Sequence, residues 1–355
     1  PPRRLWPVIA GGTAVAVIAG GVAVWRLAKS EPEVPAAAAP SLVTVAQDAL
    51  LPAQDPWGAT PPPPTPVSSE MATAGSAEMV TAEAARTEIA AAVTRVPADT
   101  HVLFTANVGE LRRNAQFDLI LGKIAKHPRI ALLLAVAPCV KPILTGSEWL
   151  VFAAKSLQDG DRATLIVRGS WRRADIETCF EDDIVRLEMP DKSTMLQLRR
   201  VGWVDFIDDH TIYLSVREDL AAAQVHALVK GGGKGPSART QQLLAKLPVE
   251  RSLGVIVDGS AKLVWPDALL PRGSDLASWV RVGATDVELD IAIDTKSEPA
   301  ALKLVDSARA TFDPVFKDAD PRAVGRIEIV REQTTMRLRG QLTSLMIGMI
   351  SSAIP

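Results

Sequence analysis

The chain has 355 residues and a formal charge of -2, from 39 basic and 41 acidic side chains. Because neither sign dominates, the sequence lacks the electrostatic footprint of a nucleic-acid-binding protein. The part after about residue 85 is long enough to build one large hydrophobic core or two smaller ones.

Residues 5–27 form an apolar stretch with no charged side chain between Leu5 and Trp25. A helix of this length spans about 30 Å, the thickness of the hydrocarbon core of a bilayer. Trp6 and Trp25 lie at its ends, where indole rings prefer the headgroup layer, and Arg26 follows directly. The stretch therefore predicts an uncleaved single-pass transmembrane helix. The alternative is a cleaved signal peptide, whose apolar run is normally shorter.

This predicted membrane helix has a short N-terminal tail and a large part after it, so we expect the N-terminus in the cytoplasm and the remainder across the membrane. Gly12, Ala16 and Gly20 follow one another at four-residue spacing. Small residues so spaced let two membrane helices approach closely, which predicts a homodimer through this face. The alternative is that these residues are simply common in membrane helices.

Residues 28–80 predict a disordered Pro/Ala-rich linker. The prolines cluster at positions 61–64 and 66, among Ala, Ser and Thr. Such a composition buries too little apolar surface to offset the entropy of ordering. The proline run predicts a polyproline II spacer that holds the folded part away from the membrane. The alternative is a docking ligand for a proline-binding module.

An α+β pattern begins near residue 81. Hydrophobic periodicity and turn residues predict a first set of elements, which ends in a glycine-rich connector. In chain order these are a helix at 81–96, a strand at 101–108, helices at 109–126 and 130–137, a hairpin at 149–168, a helix at 173–182, a meander at 195–216 and a helix at 218–229.

A second set of predicted helices and strands follows in the same order. Lys246–Arg251 resembles Arg95–Thr100, and each leads into an apolar strand. Because strand, helix, hairpin, helix and hairpin occur twice, we predict a duplicated, mainly antiparallel sheet covered by helices, with repeats at 81–245 and 246–355. The last segment, Leu342–Ile354, is too short to span a bilayer. It predicts a C-terminal helix that docks on the domain, and interfacial membrane binding is the alternative.

Cys139 and Cys179 are the two cysteines of the chain. A pair in an exported chain predicts a disulfide, here joining two helices of the first repeat. The alternative is two buried free thiols, which behave as small apolar residues.

The sequence predicts no catalytic, cofactor or metal site. The four histidines form no metal-binding pattern, and the cluster Asp208–His210 is typical of a hairpin turn. The segment Lys230–Ser237 lacks the spacing of a phosphate-binding loop and predicts a helix connector in which Ser237 is the N-cap.

The strongest surface pattern for binding an anion combines Trp with pairs of Arg. Arginine planes stack on indole rings and form forked hydrogen bonds with phosphate or carboxylate groups. The residues in this pattern are Trp171, Arg172, Arg173, Arg199 and Arg200. The alternative is that they are scattered, solvated arginines.

Three features together resemble a loose group of uncharacterised membrane-anchored envelope proteins from GC-rich Gram-negative bacteria. They are the Val96–Thr100 motif before an apolar strand, the cysteine pair, and Lys234–Ser237 before a helix. The resemblance covers residues 90–345 and implies a lipoprotein signal or a membrane anchor, a low-complexity linker and a duplicated α+β domain. It implies no activity. We expect the anchor in the inner membrane and the folded domain in the periplasm. The chain lacks the lipobox cysteine of such lipoproteins, so its attachment is expected to be the helix at 5–27.

We therefore expect a non-catalytic, membrane-anchored envelope protein that presents its domain to an envelope protein or to an anionic envelope component. The alternative is lipid or lipoprotein handling in an apolar cavity between sheet and helices. A hydrolase without a recognisable motif is the third hypothesis.

Overall fold

The structure is a computed structural model that describes residues 81–115, 117, 143, 145–156, 163–181, 184–198, 202–217, 219–261, 271–283, 285–316, 325–343 and 346. The predicted membrane helix with Gly12, Ala16 and Gly20, the linker, and Cys139 lie outside these residues. None of the helices in the described ranges is long and apolar enough to cross a bilayer.

The described strands occur in two groups along the chain. The first group is β1 (Val102–Asn107), β2 (Ser147–Ala154), β3 (Ala163–Gly169), β4 (Ile184–Glu188), β5 (Thr194–Leu198), β6 (Gly202–Asp208) and β7 (Thr211–Ser215). The second group is β8 (Leu253–Val257), β9 (Asp275–Val282), β10 (Asp286–Asp294), β11 (Gly325–Glu332) and β12 (Thr335–Thr343).

The described helices are short except for the last. They are α1 (Ala82–Val93), α2 (Val108–Arg112), α3 (Arg173–Cys179), α4 (Ala222–Ala227), α5 (Ala238–Leu244) and α6 (Glu298–Phe316). A π-helical turn, Leu228–Gly232, continues α4. The helix predicted at 109–126 is interrupted after Arg112, where α2 ends, and residues 118–126 lie outside the described residues. The helix predicted at 218–229 begins at Ala222 in α4.

All the described strands belong to one antiparallel sheet with β1 and β8 at its centre. Outward from β1 the order is β2, β3, β7, β6, β5 and β4, and outward from β8 it is β9, β10, β12 and β11. Every residue of β1 is buried, as expected for a central strand with both faces covered. The predicted α+β class with a mainly antiparallel sheet covered by helices is therefore confirmed.

The two faces of the sheet are covered by different helices. Because side chains alternate along a strand, Val102 and Phe104 lie on what we call the back face and Leu103 lies on the front face. The back face packs against α2, α3 and α6. The front face packs against α1, α4 and α5, whose buried anchors are Ile89, Val93, Val225 and Leu243.

Equivalent turns lead into the two central strands. The turn Val96–Thr100 joins α1 to β1, and the turn that starts at Leu247 joins α5 to β8, with Val96 and Leu247 both buried. Phe104 of β1 pairs with Val255 of β8. Val255 follows Phe104 in the chain by the same number of residues as Leu247 follows Val96. The pairing at the centre of the sheet therefore has local pseudo-two-fold symmetry.

The Val96–Thr100 motif is held by a buried arginine. Arg217, which follows β7 and is only 3% exposed in its side chain, donates to Asp99 from Nη1 at 2.6 Å and from Nη2 at 2.8 Å. Its Nε and Nη2 also donate to Asp219 at 3.0 and 2.7 Å. The hydrogen bonds from Arg217 lower the pKa of Asp99 to about 2. The motif is thus a structural tie between the start of β1 and the end of β7.

Candidate functional site

The front face of the sheet changes character at β9. The apolar front-face core reaches Ala277 and Trp279 of β9 and extends no further along the described strands. Beyond it, the front-face side chains of β9, β10, β12 and β11 are mostly charged, and we call this surface the open face. Its members are Trp279, Arg281, Glu288, Asp290, Arg326, Glu328, Glu332, Arg337, Arg339 and Gln341.

Ion pairs across neighbouring strands position most of these side chains. Arg337 donates to the carboxylate of Asp290 from Nε at 3.0 Å and from Nη2 at 2.6 Å. These bonds raise the pKa of Arg337 above its ordinary value. Arg281 donates to Glu288 at 2.5 Å. The open face therefore presents fixed, paired donors and acceptors rather than mobile single charges.

Arg251 lies at the inner border of the open face without a carboxylate partner among the described residues. Its Nη1 donates to the carbonyl of Pro248 at 2.7 Å. Its Nε lies 2.8 Å from the position that a Cβ atom on Gly254 would occupy, so glycine leaves room for the guanidinium over β8. Burial lowers the pKa of Arg251. A positive charge is thus held at the sheet, and the described part of the chain supplies no compensating charge.

Trp279 is the aromatic member of the open face. In the sheet register it lies between Gly254 of β8 and Asp290 of β10, and its side chain is half-buried. Further along the same two strands is a depression of about 310 Å³, lined by Glu110, Arg281, Val282, Gly283, Asp286 and Glu288. Its lining is mostly polar and includes Arg281 and Glu288 of the open face.

His226 is the centre of a second polar cluster, on α4. Its Nδ1 lies 2.8 Å from Oδ2 of the buried Asp205, and its Nε2 lies 3.3 Å from Oγ of Ser193. Asp, His and Ser joined through opposite ring nitrogens have the connectivity of a catalytic triad. Sequence reasoning missed this cluster, because the three residues meet only through the pairing of β6 with its neighbours and the packing of α4.

The hydrogen bonds around His226 nevertheless oppose nucleophilic chemistry. Asp191 lies 3.1 Å from Nε2 of His226 and accepts the hydroxyl proton of Ser193 at 2.5 Å. Burial disfavours the imidazolium, but the hydrogen bonds to Asp205 and Asp191 outweigh it and raise the pKa of His226. A general base must be neutral and must face the hydroxyl proton. The cluster is better described as an imidazolium that bridges two carboxylates.

His101 belongs to a third cluster, near the start of β1. Nδ1 of His101 lies 2.7 Å from Oδ2 of Asp258 and 2.9 Å from Oγ of Ser260. Both contacts use the same ring nitrogen, so they cannot form a proton relay. Asp258 also accepts from Ser237 at 2.9 Å and from Thr240 at 3.1 Å. This cluster connects the N-terminus of α5 to the two central strands.

Three of the residues predicted to bind an anion lie in the described ranges. Trp171 is buried, and Arg172 is exposed at the N-terminus of α3. Arg173 pairs with Glu177 at 2.6 Å and lies 4.7 Å from the ring centre of Phe206 rather than over Trp171.

The two remaining arginines of that pattern, Arg199 and Arg200, lie outside the described residues. The anion site at Trp171 therefore stays a prediction. The predicted disulfide also stays one, since Cys179 ends α3 but Cys139 lies outside the described residues.

Two local predictions are confirmed. The segment Asp208–His210 forms the turn between β6 and β7, where the amide of His210 donates to Oδ1 of Asp208 at 2.8 Å. Ser237 is the N-cap of α5, with its Oγ accepting from the amide of Thr240 at 3.1 Å. Within the described ranges, no group of three or more His, Cys, Asp or Glu side chains is arranged to hold a metal ion.

Comparisons with known proteins leave the chain without a family. Neither a protein-family profile nor a curated protein sequence matches it. Among solved structures, crystal form III of TP0453 is similar with a TM-score of 0.45 and 12% identity, covering 73% of this chain and 97% of that one. Crystal form I of TP0453 is similar with the same TM-score and identity, and covers 74% and 96%. A similarity at this level says nothing about what the chain does.

Proposed function

We propose that this chain is a non-catalytic, membrane-anchored envelope protein that presents a duplicated α+β domain, through its open face, to an envelope partner. The observation that carries the proposal is the contrast between the two halves of the front face. Helices α1, α4 and α5 cover the central and first-half strands, whereas the outer second-half strands carry ion pairs such as Arg337–Asp290 and Arg281–Glu288 on this face. Ordered polar side chains on a rigid sheet are suited to recognition.

The side-chain chemistry supports a binding role over a catalytic one. His226 contacts a carboxylate through each of its ring nitrogens, and Nδ1 of His101 contacts the carboxylate of Asp258. Most of the charges on the open face are likewise paired, as in Arg281–Glu288 and Arg337–Asp290. Such groups can bind a partner, but none is poised to transfer a proton.

Duplication is supported by the strand order. From the centre outward, β1, β2, β3, β7 and β6 occupy the same places as β8, β9, β10, β12 and β11. The hairpin β4–β5 would then be an addition to the first half, beyond β6. On this comparison α5 corresponds to α1, so the second repeat would start near residue 236 rather than at 246.

The proposed setting follows from the predicted segments. Residues 5–27 would anchor the chain in the inner membrane, residues 28–80 would act as the spacer, and the domain would lie in the periplasm. The partner would be an envelope protein or an anionic envelope component.

Position-specific photo-crosslinking in cells tests the proposal. A diazirine amino acid inserts into any neighbouring molecule, so replacing Arg326 or Gln341 on the open face should give adducts of reduced gel mobility. Leu302, which is 49% exposed on α6 at the back of the sheet, is the matched control and should give few. Equal adduct formation at Leu302, or none at the two open-face positions, would contradict the proposal.

A further inference from the structure

We infer that the inner border of the open face binds an acidic glycan, with a sugar ring against Trp279 and its acid group on Arg251. This inference rests on the proposed function, since it names the chemistry of the partner that the open face receives. Three observations on neighbouring strands carry it: an uncompensated cation, an aromatic side chain beside it, and paired polar groups beyond.

The first observation is the position of Arg251. Its guanidinium is fixed by one hydrogen bond to a carbonyl and by the space over Gly254, and the described residues supply it with no carboxylate. An ionised group held at a partly buried position without a counter-ion is costly. A carboxylate or phosphate of a ligand would remove that cost through a forked, charge-assisted hydrogen bond.

The second observation is the register of Trp279. Gly254 pairs with Trp279, so the guanidinium over Gly254 and the indole belong to adjacent strands on the same face. Adjacent strands lie about 4.8 Å apart, close to the width of one pyranose ring. One acidic sugar residue can therefore contact the aromatic side chain and the cation together.

The third observation is the chemistry of the next strands. The pairs Arg337–Asp290 and Arg281–Glu288 each hold a donor and an acceptor close together. Sugar hydroxyls donate and accept at once, so such pairs suit them. The centre of a protein–protein interface is instead depleted of charged residues. The open face, with Trp279 as its one aromatic side chain, therefore fits a glycan better than a protein surface.

Binding of a hexamer of galacturonate to the full chain in detergent tests the inference. Its fully methyl-esterified form is the matched neutral probe, because the two differ only at the acid group, which is a carboxylate in one and an uncharged methyl ester in the other. We expect the acidic hexamer to bind, and the ester to bind at least tenfold more weakly. Binding of the acidic hexamer should also weaken as the salt concentration rises.

Single substitutions test where on the chain the acidic hexamer binds. Arg251→Gln and Trp279→Leu should each weaken binding of the acidic hexamer at least tenfold, whereas Lys303→Gln, which removes an exposed cation from α6 at the back of the sheet, should change it less than twofold. Circular dichroism and thermal melting identify a variant that fails to fold, and the comparison of acid with ester in the unaltered chain does not depend on any variant.

Three results would overturn the inference: no binding of the acidic hexamer, equal binding of the ester, or unchanged binding by a folded Arg251→Gln variant. If glycan binding fails while crosslinks still form at Arg326 and Gln341, the proposed function stands and only the ligand class is wrong. If both experiments fail, both proposals fall.

Discussion

Asp99 shows what a single residue of the Val96–Thr100 motif contributes. Its carboxylate receives two hydrogen bonds from the buried Arg217 and lies 3.4 Å from Nζ of Lys155. We expect Asp99→Asn to lower the free energy of unfolding at neutral pH by about 1–2 kcal/mol, because the carboxylate is partly exposed and solvent screens the pair. Glu250→Gln, at the exposed equivalent position before β8, is the control and should have little effect.

The contribution of Asp99 should also depend on pH. Its pKa is lowered from an ordinary value of 3.8 to about 2, so its stabilisation is present above pH 4 and is lost as the pH falls towards 2. Urea unfolding at pH 6, 4 and 3 measures this. The difference between the parent chain and Asp99→Asn should shrink across that range, and a difference that stays constant would contradict the assignment.

The stability that His226 contributes should depend on pH in the opposite direction to that of Asp99. Its raised pKa means that its stabilisation is fully present below the pKa of the unfolded state and is lost as the pH rises through the folded value. We expect His226→Gln to destabilise the chain by about 1–3 kcal/mol at pH 6, since Asp205 is left buried with a weaker partner. The loss should be smaller at pH 9.

The role of Ser193 separates a bridging imidazolium from a triad. If His226 bridges Asp205 and Asp191, Ser193→Ala should leave the pH dependence of stability between pH 6 and pH 9 unchanged, because the Asp191 carboxylate to which Ser193 donates stays ionised throughout that range. A Ser193→Ala variant with an altered pH profile would show that the hydroxyl and the imidazole titrate together.

At the scale of elements, the edge strand β11 is protected by a neighbouring helix. Arg309 of α6 donates to the carbonyl of Ile329 in the middle of β11 at 2.9 Å. Edge strands with free backbone groups recruit other chains, and charged side chains oppose this. We expect Arg309→Ala to raise the association constant of the chain several-fold in sedimentation velocity.

The control for this edge is Lys303→Ala, a loss of an exposed cation on the same helix. Both variants are compared with the parent in one detergent, so that any association through residues 5–27 is common to all. Equal association of the Arg309 and Lys303 variants would show that the carbonyl contact does not protect the edge.

The sequence predicts some of these elements better than others. In β10, apolar residues alternate with charged ones, and Val287 and Leu289 are buried as that pattern predicts. The strands β4 and β9 were not predicted. β4 is a short edge strand, whereas β9 lies where the covered front face meets the open one, so its side chains follow neither a continuous apolar run nor a polar alternation.

The candidate site was harder to predict than the fold. The paired charges on β10 and β12 are visible as alternation in the sequence. Arg251 is not, because its position depends on the room over Gly254 and on the pairing of Gly254 with Trp279, a contact between distant parts of the chain. Periodicity describes one strand at a time, whereas a site on a sheet depends on register between strands.

At the scale of the whole molecule, the halves share one core. The back-face cluster contains Phe104 and Phe152 from the first half together with Val255 and Leu289 from the second. We expect a protease site inserted at Gly231, which has open space around it, to be cleavable while the two fragments stay together. The fragments should co-elute in size-exclusion chromatography after cleavage and separate only in denaturant. Separation under native conditions would mean that the halves fold as independent domains.

The outer part of the front face is covered in the first half of the sheet and open in the second half. This difference sets the number of binding faces that one molecule presents. In the first half, α4 packs over Tyr213 and Met195 and the hairpin β4–β5 extends the sheet beyond β6. The described part of a single chain therefore offers one open face, although its strand order is nearly two-fold. Multivalent capture of a polymer must come from several chains side by side, and its strength would then vary with their surface density.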